Sequence, residues 1–370
     1  MAALYVAHGT RGVAKLVESL SDPSLVGELA ANLTTLNSLL SSQESKMRAL
    51  ANDGAVMPVL TGLISSSEAE VRRQAALAIA SLTLVYQGRL AAADAATTAA
   101  LAGPLREDGS ETVRAACAAA LQSLTSSRDG CSVVMQADGI VSRLTAALDD
   151  EHKAVCAPTL AALANTLRLD LGVDEALSAG VVAKLARLTG AAQRDLSVLE
   201  TGLQALWNLA NTPAGKAAAI EASVLPLLAE HLDQQPSHNV QRLAAGCVLA
   251  ITIDKDGKLA ALPCITPLCR LLFSPGCSPE AMRDVIGALK NITESPKARR
   301  LVDAWVKENN KGDEMASIFE QKPFDHKQWP ASIRFQHQNV APGGVAAAHE
   351  AATRERWGYP RPFDPSPTMR

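Results

Sequence analysis

Apolar residues recur along this chain at steps of three and four, the spacing that gathers them on one face of a helix. Val71-Arg72-Arg73-Gln74-Ala75-Ala76-Leu77-Ala78-Ile79 is one such stretch, and residues 182–188 form a shorter one. β-Branched runs alternating with period two are scarce, so no large sheet is expected. A four-residue pattern closes the long stretches: an apolar residue, any residue, a small polar residue, and a fourth that is usually apolar. It reads Leu36-Asn37-Ser38-Leu39, Ile79-Ala80-Ser81-Leu82, Leu121-Gln122-Ser123-Leu124, Leu163-Ala164-Asn165-Thr166 and Leu206-Trp207-Asn208-Leu209. It continues as Leu249-Ala250-Ile251-Thr252 and Leu289-Lys290-Asn291-Ile292. The first residues follow one another at steps of 43, 42, 42, 43, 43 and 40. All seven leading residues are expected to be buried at equivalent places. The small polar position is Ser at 38, 81 and 123, Asn at 165, 208 and 291, and Ile at 251.

A second marker keeps a fixed phase. Gly54-Ala55-Val56, Gly139-Ile140-Val141 and Gly180-Val181-Val182 each precede an apolar helical pattern. A glycine there ends one short helix and starts the next. Each unit is therefore helix–helix–helix in about 42 residues, a period in the range of armadillo and HEAT repeats. The expected fold is all-α: an armadillo/HEAT-like right-handed superhelical solenoid of about seven three-helix repeats with an irregular C-terminal tail. The glycine start and the Leu-x-Asn-Leu ending resemble the armadillo type more closely. One unit cannot bury its own apolar stripe, so the repeats must stack.

The solenoid is expected over residues 1–304 and a distinct tail over 305–370. The tail holds eight of the twelve aromatic residues and seven prolines, with nine Lys/Arg against eight Asp/Glu. Short helices are expected near 313–320 and 345–357. Aromatics in a segment with no core of its own need a surface to bury against, so Trp329, Phe335, Trp357, Tyr359 and Phe363 are candidate anchors on partner proteins. Trp305 and Phe319, nearest the last repeat, are better placed to pack on the solenoid itself. A tail that folds back as a cap is the other reading.

Composition then narrows the function. The net charge of -3 lacks the basic excess of a nucleic-acid binder. No stretch suggests a signal peptide or a membrane span. The seven cysteines at 117, 131, 156, 247, 264, 269 and 277 form no Cys-x-x-Cys pair and are odd in number, so reduced, packed thiols are expected rather than disulfides or a zinc site. Nucleophile-elbow, zincin and phosphate-loop patterns are absent, and Asp254-Lys255-Asp256-Gly257 lacks the closing acid of a calcium loop because residue 263 is proline. No catalytic residue, cofactor, metal or small-molecule substrate is therefore expected, and an enzyme is not.

One position carries a binding mechanism. In armadillo proteins that grip extended peptides, an Asn at the small polar position lines the concave groove, where its amide can pair with a peptide backbone. Asn165, Asn208 and Asn291 are candidates, and Trp207 with Asn211 resembles the Trp-x-x-x-Asn pair of nuclear-import adaptors. The alternative is that these groups only cap or pack within the third helix.

The C-terminal repeats carry a more specific resemblance. Leu243-Ala244-Ala245-Gly246, Thr252-Ile253-Asp254-Lys255-Asp256-Gly257-Lys258-Leu259-Ala260-Ala261-Leu262, Ile265-Thr266-Pro267-Leu268 and Leu271-Leu272-Phe273-Ser274-Pro275 resemble the armadillo-repeat radial spoke proteins of the radial spoke head 14 family, as do His8 and Val13-Ala14-Lys15-Leu16 near the amino end. The resemblance covers about residues 5–303. It implies a structural scaffold subunit of the radial spoke in motile cilia and flagella. Its partners would be other spoke subunits, and its location the cytoplasm and the ciliary axoneme. The alternative is a soluble armadillo adaptor of the import-adaptor or catenin kind.

Overall fold

The structure is a computed structural model that describes residues 12–51, 55–93, 95–190, 195–233 and 237–320. Two compact units are present, 1–305 and 306–370. The expected boundary at 304/305 falls inside the helix Pro296–Glu308. The second unit contains the helix Gly312–Glu320, close to the one expected at 313–320. The expected helix at 345–357 lies outside the described residues.

Helices make up the first unit, and no strand occurs among the described residues. Seven long helices recur: α1 (Leu29–Leu39), α2 (Ala69–Leu82), α3 (Glu111–Thr125), α4 (Lys153–Thr166), α5 (Leu196–Ala210), α6 (His238–Ile251) and α7 (Pro279–Ile292). Each packs on the next. Two or three shorter helical segments precede each of them, such as Asp170–Ser178 and Val181–Leu188 before α5. The chain is thus an α-solenoid. The turn between the two short helices needs a left-handed residue: Gly139 has φ 69° and Gly180 has φ 73°, as the glycine marker implied, while Gly54 lies outside the described residues. In the following repeat the position is Ser223 at φ 54°, where a Cβ costs energy that glycine avoids.

The register is set by a different glycine. Six residues after Leu82, Leu124, Thr166, Leu209 and Ile251, each the last or next-to-last residue of α2 to α6, stand Gly88, Gly130, Gly172, Gly215 and Gly257. A Cβ at each glycine would overlap or crowd the carbonyl of that residue. The peptide N–H of Gly130 donates to Ser127 Oγ and that of Gly215 to Thr212 Oγ1, both at 3.1 Å, so N-cap and glycine form one device. After α7 the same place is taken by Ala298, fully buried.

This register corrects one repeat. Leu36, Ile79, Leu121, Leu163, Leu206 and Leu289 are buried as expected, with at most 2% exposure, but Leu249 is only half-buried. The buried equivalent of Leu206 is Val248, and the small polar position of α6 is Ala250, not Ile251. Gly246 admits the Trp207 ring and Gly287 admits Leu249, each with a virtual Cβ contact of 2.8 Å. Trp207 and Leu249 are therefore equivalent. The pattern Leu-x-x-Thr fits two registers in this stretch, and only packing against α5 separates them.

Ala and Leu dominate the core, as a chain with 3% aromatics requires. Six of the seven cysteines are buried in it and Cys277 is half-buried. Burial pushes the Cys117, Cys264 and Cys269 thiols up to about 12. Cys131 Sγ donates to the Thr125 carbonyl at 3.0 Å. Among the described residues no helix is long and apolar enough to cross a membrane. Trp305 stacks on Phe273, centroids 5.7 Å apart and planes 11° apart, so this tail-proximal aromatic does pack on the last repeat.

Two ion pairs tie the early repeats. Arg72 donates from Nε to Asp108 Oδ2 at 2.7 Å and from Nη2 to Oδ1 at 3.0 Å. One repeat on, Arg114 Nε donates to Asp150 Oδ2 at 2.7 Å. The Arg72 hydrogen bond holds the Asp108 carboxyl below its ordinary value of 3.8. Later repeats have Cys156, Leu199, Gln241 and Met282 where Arg72 and Arg114 stand.

Two predictions follow from these contacts. Gly215→Ala should destabilise by about 1–3 kcal/mol through overpacking, whereas Ser223→Gly should stabilise by up to about 1 kcal/mol; urea titration reads both, and a neutral Gly215→Ala would refute the assigned close approach. Because the folded-state value of Asp108 is depressed, its contribution is complete above about pH 4 and is lost as pH falls through the lower folded value. Asp108→Asn should therefore cost roughly 1.5–3 kcal/mol at pH 7 and progressively less below pH ~4. A stability gap between the two proteins that is constant with pH would contradict the pairing.

Candidate protein-binding face

Four of the small polar residues near the ends of the long helices, Ser123, Asn165, Asn208 and Asn291, share one job. Ser123 Oγ donates to the Ala80 carbonyl at 2.8 Å and accepts from Thr83 Oγ1 at 2.9 Å. Asn165 Nδ2 reaches Thr125 Oγ1 at 3.4 Å, and Asn291 Nδ2 reaches Thr252 Oγ1 at 3.4 Å. In each case the partner belongs to the preceding long helix or the residue that ends it. Where that residue is Leu167 instead of Thr, Asn208 Nδ2 bonds the Ala164 carbonyl at 2.8 Å. Where it is Ala210, the facing residue is Ala250; donor and acceptor disappear together.

These amides therefore differ in what they can still offer. Asn208 is 5% exposed, and its Oδ1 already accepts from Gln204 Nε2 at 3.0 Å. Asn165 and Asn291 are half-buried and held by longer bonds. Asn211 is exposed at the end of α5, where its carbonyl accepts from Lys216 Nζ at 3.3 Å. Trp207 lies against Gly246 of α6 with the Arg242 guanidinium 5.6 Å above its ring.

Asn165 also lines a solvent-open depression of about 210 Å³ between α4, α5 and α6. Ala161 and Ala164 form one wall, Glu200, Thr201 and Gln204 the floor, and Asn239, Arg242 and Leu243 the other wall. The placement follows from helix periodicity: Gln204 and Glu200 precede Asn208 by four and eight residues, one and two turns on the same face. Asp195 caps α5, accepting from the Ser197 N–H at 3.0 Å and the Val198 N–H at 3.2 Å. Lys153, then the Ser197 hydroxyl and the Val198 N–H, hold its carboxyl well below the usual range. Glu200 Oε1 accepts from Ser237 Oγ at 2.9 Å, and Asn239 Oδ1 accepts from Arg242 Nε at 3.2 Å and Nη2 at 2.9 Å.

The structure thus brings Asn165, Trp207 and Asn208 into one neighbourhood and sets Asn291 further along the same face in α7. Trp329, Phe335, Trp357, Tyr359 and Phe363 lie outside the described residues. Glu200, Gln204, Asn239 and Arg242 were not picked out from the sequence. The signal was available: they stand at helical spacing before the small polar position, or one turn before Arg242.

The family described as "Plant U-box protein ARM repeat region" matches residues 12–234. No curated protein matches the chain significantly. Among solved structures, the chain resembles the designed armadillo repeat protein YIII(Dq)4CqI, with 24% identity over 65% of this chain and 99% of that one and a TM-score of 0.58. A designed armadillo repeat protein in complex with peptide (KR)4 gives 23% identity, 65% and 99% coverage and a TM-score of 0.57. An engineered protein covered over 81% of its length matches 79% of this chain at 21% identity and a TM-score of 0.56. At these identities the structural likeness concerns the fold.

The hydrogen-bond assignments separate the asparagines by stability. Asn208→Ala leaves the Ala164 carbonyl and the Gln204 amide without their partner and should cost about 1–3 kcal/mol. Asn165→Ala removes a longer, half-exposed bond and should cost less than about 1 kcal/mol. Equal losses in a denaturant titration would contradict this ordering.

Proposed function

The chain belongs to the armadillo-repeat family matched over residues 12–234, and from that premise we propose that it is a non-enzymatic scaffold subunit of the radial spoke in motile cilia and flagella. Its role is to hold other spoke subunits on the surface of the solenoid and through the C-terminal tail of residues 305–370. Such a location places the protein in the cytoplasm and the ciliary axoneme.

The observation that carries the scaffold reading is the continuous face of long helices, on which Ser123, Asn165, Asn208 and Asn291 bond the preceding repeat. Asp195 and Asp254 cap helices, Arg72 and Arg114 join repeats, and six cysteines are buried. A stack of this kind offers a long surface and yields elastically through many small interfaces, which suits a complex under repeated mechanical load. The spoke assignment itself is supported by the sequence resemblance in residues 243–275. In the structure Asp254 caps the helix Lys255–Ala260 and Gly257 meets the Ile251 carbonyl, so part of that run serves the solenoid.

The depression between α4, α5 and α6 favours a second reading, an adaptor that takes an extended segment on this face. The armadillo fold supports that use: one designed relative of similar fold is in complex with peptide (KR)4. Fractionation of motile cilia separates the two. A spoke scaffold remains with the axoneme after membrane removal and salt washing. Release of the protein into the soluble matrix would overturn the spoke reading in favour of the adaptor.

A further inference from the structure

The long-helix face changes chemistry along its length. Eight residues before the small polar position, α2 carries Arg73, which Glu70 holds at 2.7 Å, α3 and α4 carry Ala115 and Ala157, α5 carries Glu200, and α6 and α7 carry Arg242 and Arg283. At the position equivalent to Trp207, α7 carries Lys290. Three cations therefore gather on α6 and α7, beside the depression that Arg242 walls. Among the described residues, Arg283 meets a carboxylate only at 3.5 Å, that of its neighbour Asp284, and neither Arg242 nor Lys290 has one within ion-pairing distance.

Arg242 is also the most tightly placed of the three. The Trp207 ring covers one face of its guanidinium, and the Asn239 oxygen takes its Nε and one Nη2 donor. The Nη1 group keeps no protein acceptor among the described residues. A planar cation held this way has little rotamer entropy left to lose and suits a carboxylate better than a free arginine would.

We propose that this half of the face receives an extended segment of a partner protein carrying acidic side chains, with Arg242 as its anchor and Arg283 and Lys290 as the next contacts. The proposal deepens the protein-binding reading above and rests on it. Neighbouring long helices lie about 8–10 Å apart, and an extended chain advances about 3.3 Å per residue. Acidic residues two to four positions apart would therefore meet successive helices. A nucleic acid is the less suitable occupant. Trp207, the aromatic of this face on which a base would stack, has one side of its ring occupied by Arg242.

The test uses the full chain and fluorescein-labelled peptides of alternating Asp and Ala or alternating Lys and Ala, with an oligouridylate of equal length as a third probe. Fluorescence anisotropy should show the acidic peptide binding, with an affinity that falls as salt is raised. Arg242→Gln should weaken it ~10-fold and Lys290→Gln several-fold, as loss of a charge-assisted contact does. Arg128→Gln, an exposed change in a short helix, should leave affinity unchanged. Lys290→Glu changes charge on a half-buried side chain without a carboxylate partner among the described residues and should weaken binding by roughly 10-fold or more at an unaltered melting temperature, which separates binding from folding. Equal or tighter binding of the Lys peptide or the oligouridylate would overturn the proposal. So would an Arg242→Gln affinity within about twofold of the parent. The scaffold reading fails separately, by loss of the protein from the salt-washed axoneme. A protein retained there that ignores the acidic peptide refutes only the occupant.

Discussion

The geometry of the stack depends on one close approach, between a glycine in the first short helix of a repeat and a carbonyl of the last two residues of the preceding long helix. No side chain fits between them at Gly88, Gly130, Gly215 or Gly257. The approach fixes how far each short helix descends, and thereby where the next long helix starts. N-cap side chains at Ser127, Thr212 and Asp254 bond the same turn, so a local capping preference and a long-range packing requirement are met by one four-residue segment. That agreement between levels is what allows a chain with few aromatics to stack seven long helices in a single register.

Once the spacing is fixed, the small polar position faces the end of the preceding long helix. Its hydrogen bond then depends on what the earlier repeat supplies. Thr83, Thr125 and Thr252 supply a hydroxyl, Leu167 forces Asn208 onto a backbone carbonyl, and Ala210 faces Ala250. An amide committed to its neighbour has less to give a ligand. The side chains one and two turns earlier, such as Gln204, Glu200 and Arg242, are the ones that line the depression.

The two halves of the solenoid use charge differently. In the early repeats Arg72 and Arg114 are consumed by Asp108 and Asp150 and join successive layers. From α4 onward that position is uncharged, and ion pairs elsewhere join the layers, as Arg270 to Asp233 and Lys258 to Glu294. Arg242 and Arg283 stand instead on the long-helix face, at the position where α2 carries Arg73 held by Glu70.

The sequence by itself determined the helical class, the period near 42 residues and six of the seven buried leading residues, because each rests on side-chain spacing within one helix. It also identified Gly139 and Gly180, since a left-handed turn is a local demand. The register of α6 was decided only by tertiary structure. Leu249-Ala250-Ile251-Thr252 satisfies the pattern as written, yet Gly287 receives Leu249 and Gly246 receives Trp207, which moves the true core residue to Val248. The site divided in the same way. Asn165, Trp207 and Asn208 were visible as residue types at a known phase, but whether an amide is free depends on a neighbour about 42 residues away in sequence. Glu200, Gln204, Asn239 and Arg242 share a depression only because α4, α5 and α6 are held side by side, and periodicity within a single helix carries no information about that distance.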